Sequence, residues 1–273
     1  MEIKNGSNVY QVGIEVGTAD GYDLYLCKQN EIERQYLLQI AAEVRDNIAL
    51  SRATYILEEL KIRSDKLEAE YAPKKKDPKK MLNYQLGFPE LLDTFISSEH
   101  EGRRINVLAF RNVEDVSDLK PLRNIVVKDC LRVDIRSSAW IMGKALKMLA
   151  FTQSQNIAVE LDVENILIEP NKHYVVFFDF STGKIFSDEV PSEIRCEEIS
   201  QAAKAVIIIM GGDLETDFIP DDGDPAFKRY ANFILRLAKG NESNAKKACE
   251  GFYEIVHESW PREFYPFTTI PLY

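Results

Sequence analysis

The stretch NILIEPNKHYVVFFDFS, residues 165–181, decides the fold assignment of this chain. Two short apolar runs, residues 165–168 and 174–178, have the length and composition of buried strands. The segment between them, residues 169–172, contains the proline and asparagine that are typical of a turn. The triplet Asp179-Phe180-Ser181 follows the second run directly. The stretch therefore predicts a short two-stranded hairpin that leads into an acidic residue.

The chain ahead of this stretch is rich in strand patterns up to residue 110. A helical pattern interrupts them, beginning at Asn47 as a candidate N-cap and continuing to about residue 70. Polarity rises sharply after Phe110, which we take as a lobe boundary. Residues 1–110 therefore form a predicted β-rich lobe with one long helix. The strand patterns lie at residues 9–16, 22–26, 35–41, 90–96 and 104–110, with a turn at 17–21.

Residues 111–273 form the second predicted lobe, which is mainly helical and gives the chain an α+β fold class. Its first long helix, residues 134–156, carries an apolar stripe and has Asp134 as a candidate N-cap. The aromatic and proline-rich segment 260–267 is expected to dock onto its own lobe, and an exposed patch for a partner is the alternative. Further helical patterns cover residues 200–210, 227–238 and 245–260.

Composition excludes several classes of function. A formal net charge of −10, from 34 Lys and Arg against 44 Asp and Glu, argues against nucleic acid as the main partner. The lysine-rich segment 73–80 is predicted to be a solvated loop, and a basic contact for a partner or an anionic surface is the alternative. The longest apolar run, residues 205–210, is far shorter than the ~18 residues of a membrane span, so we expect a cytoplasmic protein. The four cysteines and three histidines have no spacing typical of a metal site.

The order of these elements resembles that of the protein-kinase family. Asn165 resembles the metal-binding asparagine that ends the kinase catalytic loop, and Asp179-Phe180-Ser181 resembles the D-F-G triplet that supplies a metal-binding aspartate. Residues 17–19 resemble a degraded Gly-rich loop in which Gly17 is the glycine left in register. The resemblance implies a two-lobed protein-kinase-like fold over nearly the whole chain.

The sequence also departs from the kinase pattern at three positions, and these departures bear on activity as much as the matches do. Gln39 stands where the resemblance places the lysine that contacts the phosphates, and Ala53 stands where it places the glutamate partner of that lysine. Glu160 replaces the catalytic aspartate with a carboxylate one methylene longer, and Asp162 is the alternative base. Each departure removes or displaces a charge that phosphoryl transfer uses.

The resemblance therefore implies a degenerate family member, a pseudokinase, that acts as a binding, scaffold or regulatory module. Its degenerate nucleotide pocket would comprise Gly17, Gln39, Asn165 and Asp179, with no catalytic residue and no cofactor expected. Asn165 and Asp179 are either cation ligands or structural caps of turns. The expected partner is a protein whose identity the sequence does not give.

Two alternatives remain open for the activity. The first is an atypical Ser/Thr protein kinase that uses Glu160 as its base, with Asn165 and Asp179 holding magnesium for ATP. The second is a small-molecule phosphotransferase of related fold, which would also need the charged groups that are missing at Gln39 and Ala53.

Overall fold

The computed structural model describes residues 2–30, 32–74, 81–261 and 263–272. Most of the predicted lysine-rich loop, residues 75–80, lies outside the described residues. The chain divides into two compact units. The sheet unit is Met1–Leu119 together with Phe178–Gly183, and the helical unit is Lys120–Phe177 together with Lys184–Tyr273.

The sheet unit combines one long helix with a single antiparallel sheet of six strands. Its elements are β1 Glu2–Asn5, β2 Asn8–Ala19, β3 Tyr22–Gln29, β4 Gln35–Ala41, α1 Asn47–Tyr71, β5 Glu90–Ser97 and β6 Arg103–Ala109. The strand order is β1-β2-β3-β4-β6-β5, so the crossover through α1 places β6 between β4 and β5. The five strands and the helix predicted in this half are confirmed, and β1 is the strand that the sequence did not reveal.

Asp93 on β5 joins the two ends of the curled sheet. The Asn5 side chain on β1 donates to both carboxylate oxygens of Asp93, at 2.9 and 3.1 Å. The Tyr10 hydroxyl on β2 donates to Oδ2 of the same residue at 2.7 Å. The first strand in the order therefore meets the last, and this explains why a four-residue polar strand is held in place.

Helix α1 begins differently from the prediction for Asn47. The N-cap is Asp46, and Asn47 is the first helical residue. The Asn47 side chain instead accepts from the Arg104 backbone N–H at 2.6 Å and donates to the Gly102 carbonyl at 2.9 Å. The predicted cap was wrong because the asparagine bonds to Gly102 in the turn before β6 and to Arg104 on β6 itself. The buried face of the helix comprises Leu50, Ala53, Thr54, Ile56, Leu57, Leu60 and Ser64.

The helical unit contains the predicted helices and the predicted hairpin. Asp134 caps its first long helix as predicted, because its Oδ1 accepts from the Ser137 backbone N–H at 2.7 Å. One predicted start was wrong: the helix expected from residue 200 begins at Ser192. The elements are β7 Lys120–Pro121, α2 Leu122–Val127, β8 Leu131–Val133, α3 Ile135–Ser154, β9 Ile157–Ala158, β10 Ile166–Glu169, β11 Tyr174–Phe177, β12 Lys184–Ile185, α4 Ser192–Ile209, α5 Phe227–Ala238, α6 Ala245–Ser259 and β13 Thr269–Pro271.

The aromatic carboxy-terminal segment packs onto its own unit, as predicted. The His173 ring lies between Trp140 and Phe264, with centroid distances of 4.6 and 4.7 Å. Phe267 contacts the edge of Trp140, and β13 pairs with β8. Among the described residues, no helix is both long and apolar enough to cross a membrane.

Candidate functional site

Gln39, which stands at the expected lysine position, is buried in the sheet unit with only 1% of its surface exposed. It lies on β4 between Leu24 of β3 and Asn106 of β6 in the strand registers. The Asn106 amide donates to the Gln39 carbonyl oxygen at 3.4 Å. A neutral amide with a neutral partner therefore occupies the position that the kinase pattern gives to a cation.

Asn106 is the centre of a buried polar network that the sequence did not reveal. It is fully buried, and its Oδ1 accepts from the hydroxyls of Thr54 on α1 at 3.1 Å and Thr94 on β5 at 2.8 Å. Its Nδ2 also donates to the Leu50 carbonyl at 3.2 Å. The sequence signal was a single asparagine inside the apolar run 105–110. Thr54, one residue after the expected Ala53, is thus the side chain of α1 that reaches this network.

Tyr22 brings Gln39 and Asp179 together within the sheet unit. Burial raises the pKa of the Tyr22 hydroxyl, the nearby Asp179 carboxylate raises it further, and Gln39 lowers it slightly. Within the described chain, the hydroxyl has no hydrogen bond of regular geometry, so the carboxylate and the amide act on it by proximity. The neutral phenol is therefore the neighbour of Asp179, and it supplies no positive charge.

The segment that carries Asp179 is fixed locally. Asp179 Oδ1 accepts from the Ser181 backbone N–H at 2.8 Å, which is the bond of a turn cap. The Arg52 guanidinium on α1 donates to the Ser181 carbonyl at 2.8 Å, and Phe180 is buried. These contacts hold the acidic residue in place through the backbone of its neighbours.

Gly17 lies in a strand instead of a phosphate-binding turn. Strand β2 continues to Ala19, and Gly17 pairs with Leu24 after an irregularity in the register. The turn consists of Asp20 and Gly21 alone, and Gly21 has a φ of +86°. The turn predicted at residues 17–21 was therefore too long.

Asn165 lies in the helical unit, in a loop closed by bonds between its own side chains and backbone. The Asn165 amide donates to the Glu160 carbonyl at 2.5 Å, and its Oδ1 accepts from the Asp162 backbone N–H at 2.9 Å. Asp162 Oδ1 accepts in turn from the backbone N–H groups of Glu164 and Asn165, at 2.7 and 2.9 Å. The Glu160 side chain is exposed. This geometry matches the expectation for a structural turn cap.

Glu198 on α4 anchors the start of that loop, and sequence reasoning missed it. Its carboxylate accepts from the Val159 backbone N–H at 2.7 Å and from the Gln153 amide at 2.9 Å. Burial raises the pKa of Glu198 to about 7, against the opposing effect of these two bonds. Glutamates are common on polar helix faces, so nothing in the sequence marked this one as buried.

The acidic and thiol side chains of the described chain do not gather into a metal-binding cluster. Among the described residues, no group of three or more His, Cys, Asp and Glu side chains is arranged to hold a metal ion. Asp179 in the sheet unit and Asn165 in the helical unit each cap backbone N–H groups. Gln39 and Tyr22 carry no positive charge for a triphosphate. The group of Tyr22, Gln39 and Asp179 therefore does not fit Mg-ATP. A comparison of the chain with protein-family models and with curated proteins finds no match.

Proposed function

We propose that this chain is a catalytically inactive protein-kinase-like domain that works as a binding, scaffold or regulatory module. The strand order with α1 between β4 and β5 supports the kinase-like part of the proposal. The hairpin of β10 and β11 that leads into Asp179 supports it as well. Gly17, Gln39 and Asp179 are the proposed pocket residues that belong to the sheet unit.

The observation that carries the loss of activity is the buried amide pair of Gln39 and Asn106. A unit charge about 4 Å from another contributes roughly 4 kcal/mol at an effective dielectric constant of 20. Without the lysine, a triphosphate loses an attraction of that order, while the carboxylate of Asp179 repels it. The direct partners of Asn106 are neutral groups, and the Arg104 guanidinium joins the network one bond away by donating to the Thr94 hydroxyl at 2.8 Å.

A thermal-shift and phosphate-transfer experiment with the whole chain tests this proposal. Ligand at 100 times its dissociation constant stabilises a fold by about 2.7 kcal/mol, which raises Tm by roughly 5 to 10 °C for a chain of this size. We expect a shift below about 2 °C with Mg-ATP and no transfer of labelled phosphate to the protein or to a generic substrate.

Two variants make the result specific to the pocket. Asp179→Asn should leave the small shift unchanged, and Gln39→Lys should bind Mg-ATP more tightly than the parent because it returns a cation. A shift of several degrees in the parent that disappears in Asp179→Asn would contradict the proposal.

The alternative of an atypical kinase has one supporting observation, the exposed side chain of Glu160. If Glu160 were the base, labelled phosphate would be incorporated by the parent and lost in Glu160→Gln. Glu164→Gln, an exposed residue of the same loop, is the matched control. We expect no incorporation in any of the three proteins.

A further inference from the structure

Helix α1 exposes a row of large apolar side chains on the face away from its buried residues. Ile48, Tyr55 and Ile62 are 69%, 55% and 62% exposed. They are spaced seven residues apart, which is nearly two helical turns, so they form one line along the helix with about 10.5 Å between neighbours. Ordinary surface helices are polar on this face, so three large apolar side chains in one line form a candidate contact surface.

We propose that this row is a self-association surface, in which α1 of one chain packs antiparallel against α1 of a second copy. The two-fold axis passes beside Tyr55, so Tyr55 meets its own counterpart. Ile48 of each chain then packs against Ile62 of the other, because both lie seven residues from the axis. The apolar rows of two chains therefore match each other residue by residue in this arrangement.

The charged residues beside the row favour a second copy of the chain as the partner, and they favour an antiparallel pair of helices. Arg52 lies three residues before Tyr55, and Glu58 and Glu59 lie three and four residues after it. At about 100° per residue, Arg52 and Glu59 lie on one side of the row and Glu58 lies on the other. The antiparallel pair therefore places Arg52 of each chain beside Glu59 of the other, whose Oε2 also pairs with Arg63 of its own chain at 2.7 Å. A parallel pair would instead place Glu59 of each chain against Glu58 of the other. The Arg52 guanidinium has five N–H groups, so its bond to the Ser181 carbonyl leaves donors for this contact.

The dimer should be weak. One helix pair buries an area at or below the low end of stable interfaces, which is about 1,200 Å² in total. The net charge of −10 on each chain adds a repulsion that salt screens. We therefore expect a dissociation constant in the micromolar range, at an ionic strength near 0.15 M. The inference stands on α1 alone and does not depend on whether the chain transfers phosphate.

Sedimentation velocity over about 5 to 300 µM protein tests the association. The parent should shift from monomer to dimer across this range, and Tyr55→Lys should remain monomeric. Ile14→Lys is the matched control, because Ile14 is also a strongly exposed apolar residue of the sheet unit, on β2. A monomeric parent at 300 µM, or a dimer that survives Tyr55→Lys, would overturn the proposal.

Cross-linking tests the direction of the pair. In a Cys130→Ser background, which removes an exposed native thiol, a short bismaleimide should link Tyr55→Cys chains to each other. It should link Ile48→Cys to Ile62→Cys in a mixture of the two, and neither variant alone. Efficient linking of Ile48→Cys to itself would mean a parallel pair and would refute the charge argument. Circular dichroism and Tm near those of the parent confirm that each exposed substitution leaves the fold intact.

Discussion

Two asparagines, Asn106 and Asn165, show how differently the two units use the same side chain. Asn106 is fully buried and bonds to groups on α1, β4 and β5, which lie far from it in sequence. Asn165 is half-buried, and in the described chain its side chain bonds to the backbone groups of Glu160 and Asp162, at most five residues away. The motif resemblance singled out Asn165, whereas the contacts assign the larger structural role to Asn106. A match to a motif therefore does not measure how much a residue contributes to stability.

Replacing Asn106 should give the largest loss of stability. Asn106→Ala removes the hydrogen bonds to Gln39, Thr54, Thr94 and Leu50, each worth about 1 kcal/mol, although the Thr54 hydroxyl still donates to the Leu50 carbonyl at 2.9 Å. It also leaves the buried Gln39 carbonyl oxygen without its amide donor, and an unsatisfied buried group costs about 1–3 kcal/mol. We expect the free energy of unfolding, measured by urea denaturation, to fall by about 3–5 kcal/mol. Asn165→Ala, the matched control, should cost about 1 kcal/mol, as the loss of a cap does. Equal losses in the two variants would remove the distinction between the asparagines.

Glu198 should make the helical unit sensitive to pH. Its pKa is about 7 in the folded state, against an ordinary value of 4.5, so the folded chain retains a proton that the unfolded chain has released. Stability should therefore be highest below about pH 4.5 for this group and should decrease by about 3 kcal/mol as the pH rises through 7.

The corresponding variant isolates this effect. In Glu198→Gln the decrease between pH 5 and 7.5, followed by urea denaturation, should largely disappear because the side chain no longer titrates. Glu197→Gln changes an exposed neighbour on the same helix and should keep the slope of the parent. A Glu198→Gln variant with an unchanged slope would show that other groups cause it.

The smallest expected effect concerns the two glycines of the β2–β3 hairpin, Gly17 and Gly21. Gly17→Ala should change stability by less than about 1 kcal/mol and in the favourable direction, because alanine is preferred to glycine inside a strand. An added Cβ would lie 4.0 Å from Leu24 Cδ1, an ordinary contact. Gly21→Ala should cost about 1–2 kcal/mol because its φ of +86° is strained for alanine. A large loss in Gly17→Ala would indicate a structural role that the strand does not explain.

The sequence predicted the helices and strands more accurately than the contacts between distant residues. The apolar run 35–41 identified β4, and periodicity identified α1 and α3 to within a few residues. Strand β1 could not be predicted because its four polar-rich residues depend on Asp93, which lies more than eighty positions away.

The same limit explains the results at the candidate site. Asp134 was correctly predicted as a cap because its bond to Ser137 is local. The prediction for Asn47 failed because its bonds run to the turn before β6 and to β6 itself. The sequence pattern was enough to place Gln39 on the predicted strand 35–41. The sequence did not show that Tyr22 and Asn106 lie beside it, because those contacts depend on how the strands pair. Hydrogen bonds between nearby residues can be predicted from a single sequence, whereas the pairing of distant segments cannot.

The assignment of Phe178–Gly183 to the sheet unit has a consequence for biosynthesis. The ribosome must add all of Lys120–Phe177 before this segment emerges, which takes several seconds at about 5–20 residues per second. During that interval the nascent sheet unit lacks Phe180, which is buried in the finished molecule, and Arg52 lacks the Ser181 carbonyl. The amino-terminal half therefore completes its structure only after much of the second half has been synthesised.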